Sequence, residues 1–169
     1  MKKISNNVIS GFSFGSTLCY CLSFIVRIYG TITRRLVYIG PDKLCEISWI
    51  KDSIIAIGWG ALIGICFYEM EKSEKARGKE LYIPRIKFKN FATAILFYTT
   101  LFFGFLFIFV IREYNEYAAH ATYMFRKSFW QYCSTCIPWL EMLTTSLIFG
   151  IILAIGFSNI VKKDISSKQ

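Results

Sequence analysis

The sequence predicts an all-α protein: one domain of 169 residues, folded as a bundle of four transmembrane helices with both termini in the cytoplasm. Three observations predict it. Residues 8–30, 52–70, 91–111 and 139–161 each fall in the range, about 20 apolar residues, that crosses a hydrocarbon core of about 30 Å. Hydrophobic residues make up 54% of the chain and Phe alone occurs 16 times, which gives more apolar surface than a water-soluble fold of this size covers. Lys and Arg are divided unevenly between the two sides. One side holds Lys2, Lys3, the seven basic residues between spans two and three, and Lys162, Lys163 and Lys168. The other holds Arg34, Arg35, Lys43, Lys51, Arg112, Arg126 and Lys127. The richer side is the cytoplasmic one, so the expected address is a bacterial inner membrane, crossed several times.

Span one is the least apolar, and a cleaved signal peptide is its competing reading. Its length, its polar interruptions and the lack of a small-x-small cleavage pattern favour a retained helix. Ser13, Ser16, Tyr20, Ser23 and Arg27 are spaced 3, 4, 3 and 4, a stripe along one helix face that should meet other helices or water rather than lipid. Gly11 and Gly15 form a small-xxx-small pair, matched in span two by Gly60 and Gly64; such pairs let helices approach closely. Span three, "FATAILFYTTLFFGFLFIFVI", is apolar around its whole circumference, so it can face lipid or a second copy of the chain. A homo-oligomer is expected on that ground and on the polar face of span one. Span four opens on Trp139, an interfacial anchor, with Glu141 just inside.

Between the spans lie external loops at 31–51 and 112–138 and a basic cytoplasmic loop at 71–90. The second external loop is aromatic. Phe125, Phe129 and Trp130 beside Arg126 and Lys127 fit an amphipathic helix lying on the membrane, or a binding face for something arriving from outside. The basic loop continues span two as a helix, with Glu71 and Lys75 at i,i+4, until Gly78 and Pro84 break it. Lys72, Lys75, Arg77, Lys79, Arg85, Lys87 and Lys89 make it the expected docking site for anionic lipid or for a soluble cytoplasmic protein. Membrane lipid is sufficient partner for a net charge of +9, and no direct nucleic-acid contact is expected.

Two constellations carry candidate chemistry. Arg27 and Glu141 fall at similar depth near the outer ends of spans one and four, and each is costly alone in hydrocarbon; an ion pair locking the two spans is the expectation. Cys133 and Cys136 form a CxxC at the head of span four, with Cys45 in the first external loop. On the oxidising side of a membrane these three suit unpaired thiols or a structural disulfide, plain helix packing, a redox pair, or, with His120, a zinc site. The CxxC and the four-span plan resemble the membrane thiol oxidoreductases, namely the disulfide-generating quinone reductases and the vitamin K epoxide reductase family. That resemblance implies a redox role for Cys133 and Cys136, with Cys45 as a loop cysteine; the first loop holds Cys45 alone, so the implied electron shuttle lacks its second thiol.

Other enzyme classes leave no trace. There is no phosphate-cradling Gly loop, and the single histidine offers no partner to a Ser or Cys nucleophile. No cofactor and no metal are expected. In size and plan the chain is similar to small four-span bacterial envelope-defence proteins, the membrane subunit of the Kiwa antiphage system and the immunity proteins against pore-forming bacteriocins. The first resemblance implies a non-catalytic sensor or scaffold that docks a cytoplasmic effector through the basic loop. The second implies a protein that blocks a pore-former within the membrane.

Overall fold

A computed structural model describes residues 5–34, 49–81, 83–120 and 127–160, with the side chains of 26–34, 116 and 120 outside the description. Four long helices dominate: α1 (Asn6–Arg34), α2 (Trp49–Ala76), α3 (Phe91–His120) and α5 (Trp139–Phe157). Between α3 and α5 lies a two-turn helix, α4 (Phe129–Cys136). Two three-residue strands, β1 (Ile86–Phe88) and β2 (Ser158–Ile160), pair in parallel. Among the described residues, four stretches are long and apolar enough to cross a membrane: Asn6–Ile25, Trp49–Ala76, Phe91–Ala119 and Trp139–Phe157. Such a set of helices is the make-up of a membrane protein.

The ends of these helices are written locally. Ser5 caps α1, its hydroxyl accepting the Asn7 amide at 3.2 Å. Asn90 caps α3, accepting from the Thr93 amide at 2.8 Å and the Thr93 hydroxyl at 2.7 Å. At the end of α2, Gly78 takes φ 71°, while the Lys79 amide donates to the Glu74 carbonyl at 2.9 Å and the Gly78 amide to that of Lys75 at 3.1 Å. This is a Schellman closure, which needs a residue that tolerates the left-handed conformation. Ser128 and Gln131 form a reciprocal capping box on α4, and Pro138 separates α4 from α5.

α1 packs on α2 along one side and on α5 along another, and α5 in turn packs on α3. The α1–α2 seam is made by small residues. A side chain on Gly11 would run into the Phe67 ring, one on Gly15 into Ile63, and one on Gly60 into the Ser16 hydroxyl 1.8 Å away. The two seams of α5 repeat the device, since a side chain on Gly156 would meet Ser13 of α1 and one on Gly150 would meet Thr99 of α3. Two of the hydroxyls in these seams, those of Ser13 and Ser16, are satisfied within their own helix. Ser13 donates to the Ile9 carbonyl and Ser16 to that of Phe12, both at 2.9 Å.

The polar stripe of span one therefore divides: Ser13, Ser16 and Tyr20 are buried between helices, Ser23 is exposed, and the Arg27 side chain lies outside the described residues. α3, apolar all round in sequence, buries a single ridge of Ala94, Tyr98, Phe102, Leu106 and Val110 at four-residue spacing. Leu96, Leu101 and Ile108 on its other faces are exposed. The ridge meets an aromatic core: Phe149 of α5 stacks on Phe102 with ring centroids 4.9 Å apart and packs against Tyr20 of α1 at 4.6 Å, while Phe24 touches Trp49 at 5.4 Å.

Candidate functional site

The densest polar network gathers where α1 and α3 begin and α2 and α5 end. Ser5, besides capping α1, donates its hydroxyl to Glu71. Glu71 is only 7% exposed and accepts from the Lys75 ammonium at 2.5 Å, so its carboxylate joins the last turns of α2 to the first turn of α1. Asn7 donates to the Leu81 carbonyl at 2.8 Å, drawing the chain beyond α2 across the start of α1. Arg85 reaches the same place. Its guanidinium donates to the Asn6 carbonyl and, at 2.8 Å, to the Ser10 hydroxyl, which itself donates to the Gly156 carbonyl near the end of α5 at 2.6 Å. One arginine thus bridges the α2–α3 connection to α1 and, through Ser10, to α5.

β1 follows directly and pairs with β2 in the register Ile86 with Ser158, Lys87 with Asn159 and Phe88 with Ile160. Phe88 packs on Phe97 and Tyr98 with centroids 5.4 and 5.8 Å away, and the Tyr98 hydroxyl donates to the Phe157 carbonyl at 3.2 Å. The basic connection is thereby fixed to the helices beneath it.

The seven basic residues of this connection do different things. Lys72, Lys75 and Arg77 each meet a glutamate of α2, Glu69 at 3.8 Å, Glu71 at 2.5 Å and Glu74 at 3.4 Å. Arg85 turns inward. Lys79, Lys87 and Lys89 are exposed, and among the described residues no ion pair engages them. Lys87 lies in β1 and Lys89 directly after it, while Lys79 follows the turn that closes α2.

The CxxC lies at the opposite ends of the helices. Cys133 and Cys136 are both buried and not joined in a disulfide, and Cys45 lies outside the described residues, as does the side chain of His120. Cys133 sits in an aromatic setting: Tyr132 beside it packs on Tyr114 and Tyr117 at 5.5 and 5.3 Å, and the Trp139 indole donates to the Cys133 carbonyl at 2.8 Å. Burial pushes the Cys133 thiol up from its ordinary range, and neighbouring Cys136 adds to the shift. A redox dithiol needs the reverse, a thiolate favoured at neutral pH. The Lys127 ammonium lies 3.7 Å from the Cys136 sulfur but also donates to the Thr135 hydroxyl at 3.1 Å, so its charge is shared.

Glu141 is exposed in the first turn of α5, where a carboxylate complements the helix N-terminus; its expected partner Arg27 has its side chain outside the described residues. Several contributors carry weak sequence signals. Ser5, Asn7 and Ser10 read as ordinary polar residues at the start of a helix, though Ser5 two residues before Asn7 is a cap signature. Asp52 and Glu113, each 6% exposed, are acids whose burial their flanking charges hide in sequence. This chain matches no known protein-family model, no curated protein and no solved structure, so its site is defined by this geometry alone.

Proposed function

We propose that this chain is a non-catalytic sensor or scaffold of a bacterial inner membrane, a four-helix bundle with both termini cytoplasmic, that docks a soluble effector on its basic α2–α3 connection. Envelope defence is the setting that its plan implies, with the chain working as a homo-oligomer. One observation carries the reading: Lys79, Lys87 and Lys89 project from a base that Arg85, Ser10 and the β1–β2 pair hold fixed. A pre-organised cationic surface loses little conformational freedom on binding an acidic protein, which favours docking over loose headgroup contact. The interior supports the same reading, because the hydroxyls of α1 are engaged in helix–helix seams and the aromatic core is closely packed.

The test is purification of the tagged chain in mild detergent, with mass spectrometry of what accompanies it. A stoichiometric soluble protein is expected, and Lys79→Gln, Lys87→Gln and Lys89→Gln together should release it without lowering the yield of folded chain. A partner that survives the triple substitution rejects the docking surface. A chain that purifies alone with bound quinone and an oxidised Cys133–Cys136 pair replaces this reading with the thiol oxidoreductase.

A further inference from the structure

An apolar groove of about 410 Å³ runs along the outside of the α1–α2 seam. Ile9 and Phe12 of α1 form one wall, and Ala61, Gly64, Ile65 and Tyr68 of α2 form the other. Its volume lies within the range of ordinary ligand sites, roughly 300–1,000 Å³. Gly64 sets its depth, because a side chain there would start 3.3 Å from the Phe12 Cβ and narrow the floor.

What lies beyond the groove identifies its occupant. Positions 61, 65, 68, 72 and 75 follow one another at four- and three-residue steps, so they line a single face of α2. Along it the surface changes from apolar at Ala61 and Ile65, through the half-exposed phenol of Tyr68, to the ammonium groups of Lys72 and Lys75. Lys75 is held by Glu71 at 2.5 Å. Lys72 is 71% exposed and meets Glu69 only loosely, at 3.8 Å, a surface contact that leaves its charge available. An apolar channel at bilayer depth, ending in a phenol and a cation one turn further on, matches an amphiphile with a chain and a negative head.

We propose that this groove is a site for an anionic phospholipid, one acyl chain lying between Phe12 and Ile65 and the phosphate meeting the Tyr68 hydroxyl and Lys72. The site does not depend on the docking role of the α2–α3 connection, since Lys79, Lys87 and Lys89 are not part of it. It also holds for either orientation of the chain, because the headgroup region it needs is the one at the end of α2.

Native mass spectrometry of the full chain, equilibrated with a mixture of phosphatidylglycerol and phosphatidylcholine, tests this. One retained lipid with preference for phosphatidylglycerol is expected. Ala61→Phe, which fills the groove from an exposed position, should abolish retention, whereas Leu62→Phe on the neighbouring exposed face should not. Lys72→Gln should cut the preference about fivefold, the share of one lysine at an anionic surface, and Glu69→Gln should raise it; both are surface changes that leave the fold intact. Equal retention of the two lipids, retention that survives Ala61→Phe, or a dimer that excludes lipid while closing the groove would each overturn the proposal.

Discussion

Ser16 occupies the space that a side chain on Gly60 would need: its hydroxyl oxygen lies 1.8 Å from the point where that side chain would start. The Phe12 carbonyl stands 2.8 Å from the same point, so the obstruction includes backbone that cannot swing away. Gly60→Ala must therefore push α1 and α2 apart, at a cost of about 1–3 kcal/mol for overpacking. Thermal unfolding in detergent should show the loss. Gly58→Ala has open space around it and gains helix propensity, so it should be neutral or slightly stabilising.

Arg85 should behave as a structural residue within a surface otherwise built for contact. Arg85→Gln removes the donors to Asn6 and Ser10 and should destabilise the chain by about 1.5–3 kcal/mol, the range for hydrogen bonds to charged groups. Arg85→Lys keeps the charge without the planar fork, so it should recover only part of that loss. Lys87→Gln should leave the unfolding temperature unchanged and, on the docking proposal, weaken capture of the effector.

Cys133 should be a slow nucleophile. Its raised pKa keeps the thiol protonated at neutral pH, and reaction with iodoacetamide should accelerate only above the ordinary thiol range of about 8–9. Rapid alkylation at pH 7 would show a thiolate and reopen the redox reading.

The capping box controls access to that thiol. Ser128→Ala leaves the Gln131 amide without its acceptor and should weaken α4 by about 1 kcal/mol. Faster amide exchange across Phe129–Cys136 and faster labelling of Cys133 should appear together, because both follow from opening of the same two turns.

Local signals in the sequence correspond to local features of the structure. The first three apolar runs lie within α1, α2 and α3, while the fourth, expected to reach 161, outruns α5, which ends at Phe157 and passes into β2; Gly78 closes α2 in a left-handed conformation, and Glu71 meets Lys75 one turn on. Gly11, Gly15, Gly60 and Gly64 lie where α1 and α2 approach, because closeness requires small residues whatever the partner. Length is less legible. α3 runs nine residues beyond the apolar window, through "REYNEYAAH", since hydropathy marks where lipid ends and not where hydrogen bonding does. The inward turn of Arg85 is hidden because its partners lie 75 and 79 positions away. β1 and β2 are hidden for a related reason: three residues carry no periodicity, and their pairing depends on where α3 and α5 place them.

That pairing also orders events during synthesis. Parallel strands need a crossover between them, and here the crossover is the whole stretch from α3 to α5. β1 leaves the ribosome long before β2, so it must wait unpaired until the last long helix has been inserted. A nascent or truncated chain can carry every lysine of the α2–α3 connection and still lack the strand that pairs with β1. The surface is therefore finished only when the protein is, and an effector that reads its shape would ignore incomplete copies.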